Sequence, residues 1–118
     1  MLDRILDAVH TAYPELKLCP APARMRGRCA VYRYRPTRSA GSRKKAQLVI
    51  KFFGENLAEA MAMYNCVRGL ILSDGDESRV GTGIAALNIE ETAQDAAAGY
   101  VSKTGLYYVQ AGFMITGY

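Results

Sequence analysis

The chain has no tryptophan, a single histidine, three cysteines and four prolines among 118 residues, and each scarcity closes off a class of function. With His10 as the only histidine and neither a CxxC nor an HxxxH spacing anywhere, the usual zinc-binding constellations lack their ligands. A cysteine nucleophile would need a base held by a third group, and His10 is the only histidine to serve. Cys19, Cys29 and Cys66 are odd in number and widely spaced, which argues against a disulfide framework and fits a reducing compartment. No run approaches the roughly 20 apolar residues of a membrane span. The first 14 residues carry Asp3, Arg4, Asp7 and His10 inside their apolar pattern, so neither a membrane span nor a secretory leader is expected there, and synthesis in the cytoplasm follows.

Other familiar motifs are incomplete. Gly81, Thr82 and Gly83 lack the third glycine of a dinucleotide fingerprint and precede an expected strand instead of a helix. The run Asp74, Gly75, Asp76, Glu77 lacks the twelve-residue ligand spacing of a calcium loop. Glu90, Glu91 and Asp95 are acids of the kind that water normally solvates. No catalytic, metal or cofactor site is expected.

What is present describes one folded domain over residues 1–118. Half of the residues are apolar and 22% are charged, outside the range of disordered chains. Of the 59 apolar residues, however, 17 are alanine. A core so thin in large side chains is often completed by another subunit, so self-association is expected.

Charge is distributed unevenly. Residues 16–54 hold Lys17, Arg24, Arg26, Arg28, Arg33, Arg35, Arg38, Arg43, Lys44, Lys45 and Lys51 with no acid, and the remainder holds four bases against eleven acids. The two parts carry formal charges of +11 and −7. Such an asymmetry either draws nucleic acid to one face or lets the basic surface of one copy dock on the acidic surface of the next.

Periodicity predicts the elements. Leu2, Ile5, Leu6, Val9 and Tyr13 recur at helical spacing, and Pro14 ends that helix. Residues 15–27, with Pro20 and Pro22, read as a loop. Residues 28–35 and 46–53 are rich in β-formers and predict a hairpin with a basic loop at about 36–45. Residues 55–72 predict the longest helix, with Asn56 and Glu59 spaced as a capping box. It shows two apolar faces, one with Leu57, Met61, Tyr64 and Ile71 and a neighbouring one with Ala60, Met63, Val67 and Leu70. Residues 73–83 read as an acidic turn-rich connection, 84–90 as a short strand and 91–99 as loop or a single helical turn. Tyr107, Val109, Ala111, Phe113 and Ile115 alternate and predict a strand with a core face. Its other face, which includes Tyr108 and Met114, is expected at least partly exposed or at an interface. The fold class is α+β in the order α-β-β-α-β-β, with helices packed on one side of a mainly antiparallel sheet.

Arginines interleave with Tyr32 and Tyr34, as in nucleic-acid binders. Tyr32 and Tyr34, however, share the strand face opposite Arg33 and Arg35, so stacking and charge do not meet on one surface.

The N-terminal helix, the hairpin with its basic loop, the long helix and the final strand Gly105-Leu106-Tyr107-Tyr108-Val109-Gln110-Ala111-Gly112-Phe113-Met114-Ile115 together resemble the tail terminators, or tail-completion proteins, of long-tailed bacteriophages. The resemblance is one of size, element order and texture over nearly the whole chain. Residues 18–26 have no counterpart in it. It implies a virion structural protein and not an enzyme. The subunit would form a hexameric ring at the head-proximal end of the tail tube, stop tube polymerisation and offer a docking surface to the neck protein. DNA would pass through the ring without being read. No cofactor and no membrane are implied. A head-to-tail connector or a small nucleic-acid-binding domain is the alternative. Arg38, Arg43, Lys44, Lys45, Tyr108 and Met114 are the expected partner-contacting residues, with the basic loop against acidic surface of the adjacent subunit or the tube.

Replacing Arg43, Lys44 and Lys45 together by Ser is expected to weaken binding to tail tubes in a co-sedimentation assay, with the far-ultraviolet circular dichroism spectrum unchanged. Unaltered co-sedimentation would contradict the role given to this loop.

Overall fold

A computed structural model describes residues 2–16, 18–20, 29–37, 44–72 and 88–117. Helix α1 (Leu2–Ala12) is followed by β1 (Leu18–Pro20), β2 (Cys29–Pro36), β3 (Lys44–Gly54), helix α2 (Leu57–Ile71), β4 (Asn88–Val101) and β5 (Leu106–Gly117). The strands form one sheet in the order β1-β2-β3-β5-β4. β1 pairs parallel with β2, and every other pairing is antiparallel.

The alternation of β3 organises the interior. Leu48, Ile50 and Phe52 are fully buried on one face, and their partners on β5, namely Phe113, Ala111 and Val109, are buried beside them. Met63, Val67, Leu70 and Ile71 of α2 and Ile5, Ala8 and Val9 of α1 close over this face in a single cluster. Among the described residues no polar or charged side chain is buried, so hydrophobic burial and dispersion hold this interior. Five alanines, at 8, 30, 46, 60 and 111, belong to the buried set. The thin composition thus appears as a core built around a few large side chains, of which Phe52, Phe53 and Phe113 are the largest fully buried.

The start of α2 is set locally. The Asn56 side chain accepts a hydrogen bond of 2.8 Å from the backbone N–H of Glu59, satisfying one of the donors that every helix leaves open at its N-terminus. Gly54, the last residue of β3, lies directly under this turn. A Cβ there would stand 2.9 Å from the backbone nitrogen of Ala60 and 2.9 Å from Cβ of Glu59.

Three expectations are corrected. The order is α-β-β-β-α-β-β and the sheet is mixed, in place of α-β-β-α-β-β over a mainly antiparallel sheet. The additional strand is β1, inside the segment read as a loop. Three residues, the last of them a proline, carry no periodicity, and only parallel pairing with Ala30, Val31 and Tyr32 defines the strand. Residues 91–99 belong to the 14-residue strand β4, not to a loop or a helical turn. Alanine, glutamine, aspartate and glycine are poor strand formers, and here pairing with β5 overrides propensity, with one register shift between Thr92 and Ala97. Residues 21–28, the hairpin tip at 38–43, the connection at 73–83 and the expected strand start at 84–87 lie outside the described residues.

Two glycines make opposite predictions. Gly54→Ala forces backbone and a helix side chain apart and is expected to cost about 1–3 kcal/mol. At Gly69, inside α2, a Cβ would meet no neighbouring group within 4 Å among the described residues, so Gly69→Ala is expected to gain about 0.5–1 kcal/mol. Urea denaturation of both variants checks the pair, and equal effects would contradict the close approach of β3 and α2.

Candidate interaction surfaces

The face of the sheet away from the core cluster is where the basic segment comes to the surface. Strand pairing places Arg33 opposite Val49, Arg35 opposite Gln47 and Val31 opposite Lys51, and alternation puts all of these on the face opposite Leu48, Ile50 and Phe52. Lys45, two residues before Gln47, lies on the same face. Arg33, Arg35 and Lys45 are exposed and Lys51 is half-buried. Four cations thus occupy two adjacent strands, and neither described helix covers them.

The expected contact residues divide as follows. Lys45, Tyr108 and Met114 all lie on this face, with Met114 opposite Gln47 and Tyr108 opposite Phe53. Six residues of extended strand separate Tyr108 from Met114, or about 20 Å, so they mark opposite ends of one surface. Lys44 lies in β3 opposite Gly117. Arg38 and Arg43 lie outside the described residues.

Tyr108 is held from three sides. Lys51 Nζ stands 4.7 Å from its ring centroid, a distance at which the ring quadrupole attracts the ammonium. Phe53 packs on it at 6.1 Å. Its cross-strand partner is Gly99, where a Cβ would come within 2.9 Å of Tyr108 Cε1 and Oη. The tyrosine therefore lies across the glycine, filling the space a side chain on β4 would take. Tyr32 and Tyr34 instead pack against the core cluster, which agrees with the separation of stacking and charge on β2.

A second surface lies on the helix side, along β4. Leu57 is 45% exposed, Met61 38%, Tyr100 55% and Tyr107 38%. Tyr100 and Tyr107 pair across β4 and β5 with ring centroids 4.9 Å apart. Leu57, Met61, Tyr64 and Arg68 follow one another at helical spacing, and the last two reach β4. Tyr64 Oη donates to the Glu91 carboxylate at 2.8 and 3.1 Å, and Arg68 Nε donates to it at 3.0 Å. Of the face assigned to Leu57, Met61, Tyr64 and Ile71, only Ile71 is buried.

Sequence reasoning missed two features here. Glu91 anchors α2 to β4, and nothing near it in the chain signals a partner 23 and 27 residues earlier. Tyr100 falls beside the stretch read as loop; an aromatic in a small-residue run was the available signal.

An open groove of about 490 Å3 runs between the end of α1 and α2, lined by Tyr13, Glu15, Leu16, Met63 and Cys66 among others. Its thiol and carboxylate are accompanied by no basic side chain in that lining. Among the described residues no three His, Cys, Asp or Glu side chains are grouped to hold a metal ion, and no described helix is long and apolar enough to cross a membrane.

Burial and then the Glu91 hydrogen bond raise the pKa of Tyr64 above the ordinary 10.0, and burial followed by the charge of Asp3 does the same for Tyr34. A phenol that ionises less readily in the fold than in the unfolded chain leaves stability intact below pH 10 and withdraws it as pH rises above that value. Tyr64→Phe is expected to cost about 0.5–1.5 kcal/mol at neutral pH. It should also remove one late-ionising tyrosine from the alkaline absorbance titration, and a titration unchanged at its alkaline end would contradict the Tyr64–Glu91 contact. No protein-family model and no curated protein sequence matches the chain.

Proposed function

We propose that the chain is a structural subunit of a phage virion, a tail terminator. It forms a ring at the head-proximal end of the tail tube, where it stops tube growth and presents the docking surface for the neck protein. The observation that carries this reading is an edge strand of 14 residues, β4, paired on one side only among the described strands, with exposed Tyr100 on it, exposed Tyr107 beside it on β5, and exposed Leu57 and Met61 on α2, at helical spacing from the Tyr64 and Arg68 that reach it. An edge of this length is a template for another chain, and grouped exposed apolar side chains mark a contact surface. On the opposite side β1 spans three residues and ends at Pro20, leaving the end of β2 as the edge beyond it among the described strands. The two edges therefore differ, and unlike edges favour head-to-tail association over a two-fold dimer.

The cationic sheet face supports the second half of the reading. It suits the acidic surface of a tube or neck partner, with Lys45 at the root of the basic loop. The same face also supports the alternative, nucleic-acid binding, because Lys51 and Tyr108 bring charge and an aromatic together.

Electron microscopy of particles made with this gene disrupted tests the function. The terminator reading expects overlong tails that fail to join heads. Tails of normal length contradict it, and a steep fall of duplex DNA affinity with salt would then favour the alternative.

A further inference from the structure

The rows of the sheet run from one edge to the other, and one of them is charged at both ends. Arg35 on β2 stands opposite Gln47 on β3, Gln47 opposite Met114 on β5, and Met114 opposite Glu90 on β4. Arg35 and Glu90 are both exposed and lie on the same face of the sheet. The neighbouring rows end in Tyr34 and Glu91, and in Pro36 and Ile89.

The outlines of the two edges also match. β1 covers Ala30, Val31 and Tyr32 of β2 and stops at Pro20, so residues 33–36 have no strand partner on their outer side among the described residues. On β4 the register shift lies between Thr92 and Ala97. Thr92 shares a row with Arg33, and Ala97 shares one with Val31. The step left by the end of β1 and the break in β4 therefore fall at the same height on opposite edges. Three antiparallel pairings separate β2 from β4, so the two strands run in opposite directions. A copy displaced sideways in register would bring residues 89–91 against residues 34–36 of its neighbour as an antiparallel pair.

We propose that the sheet continues from copy to copy, with residues 89–91 of β4 added antiparallel to residues 34–36 of β2 in the next copy and Glu90 paired with Arg35 across the junction. The occupant of each edge is a second copy of this chain. Charge argues for this choice: β4 carries Glu90, Glu91 and Asp95 with no base, and β2 carries Arg33 and Arg35 with no acid. Main-chain hydrogen bonds supply the attachment, and the charged pair selects register and direction. The junction uses a different edge of each partner, so it is heterologous and propagates until the rotation between copies closes a ring. This specifies the subunit contact of the ring proposed above and rests on that reading for its biological setting.

The test is self-association of the full chain by native mass spectrometry and analytical ultracentrifugation. The wild type is expected to assemble. Arg35→Glu and Glu90→Arg are each expected to weaken assembly by roughly 100-fold, since like charges then face each other. An equimolar mixture of the two variants should restore it, in even-numbered assemblies: each junction in the mixture joins either the native pair or its reversed form. Restoration by mixing also excludes misfolding as the cause of the loss. Assembly that ignores both reversals, a mixture that stays apart, or a wild type that remains monomeric overturns the proposal. Should a reversal fail to fold, Arg35→Gln and Glu90→Gln carry the same test with an expected loss of roughly tenfold, and no loss overturns it. The junction and the tail role fail separately. Overlong tails in gene-disrupted particles together with assembly indifferent to both reversals refute the junction alone, whereas normal tails together with rescue by mixing refute the tail role alone.

Discussion

The register of the central strand β3 is the constraint on which the rest of the molecule depends. Leu48, Ile50 and Phe52 point into the core and Gln47, Val49 and Lys51 point away from it. A slip of one residue would exchange the two sets, burying lysine and glutamine and exposing phenylalanine. With β3 held between β2 and β5, the helices have one apolar face to cover, and Arg33, Arg35, Lys45 and Lys51 are directed to the other. The charge asymmetry of the chain thereby becomes an asymmetry of surfaces.

That same strand ends at the tightest point of the fold. Gly54 passes beneath the first turn of α2, where a side chain would meet backbone, and Asn56 caps the helix two residues later. The position of α2 follows from this corner. Its far end is tied to the edge strand by Tyr64 and Arg68 on Glu91. This ion pair is partly solvent-exposed, so it orients the helix over β4 more than it stabilises the fold.

Much of this architecture was legible in the chain. The period-two pattern of β5, the β-formers of β2 and β3, and the capped start of α2 each carry their signal within a few residues, and each appears as expected. What was not legible depends on contacts distant in sequence. β1 is too short to show a period and exists through its pairing with β2. β4 is built from residues that avoid strands and is held by β5. The candidate surfaces divide in the same way. The cations of β2 and β3 could be read directly, whereas the alignment of Arg35 with Glu90 emerges only when four strands are set in register. The expected element order failed because the one missed strand, β1, changed both the strand count and, by its parallel pairing, the sheet type.

In the proposed assembly, residues 89–91 of β4 form the edge through which one copy joins the next. Amide hydrogen exchange of the wild-type chain, compared between dilute and concentrated solution, tests this directly. Exchange at residues 89–91 and at Tyr34 and Arg35 is expected to slow together as assemblies form, while the amides of α2 remain unchanged. Assemblies that form with exchange at both edges unaltered would contradict it.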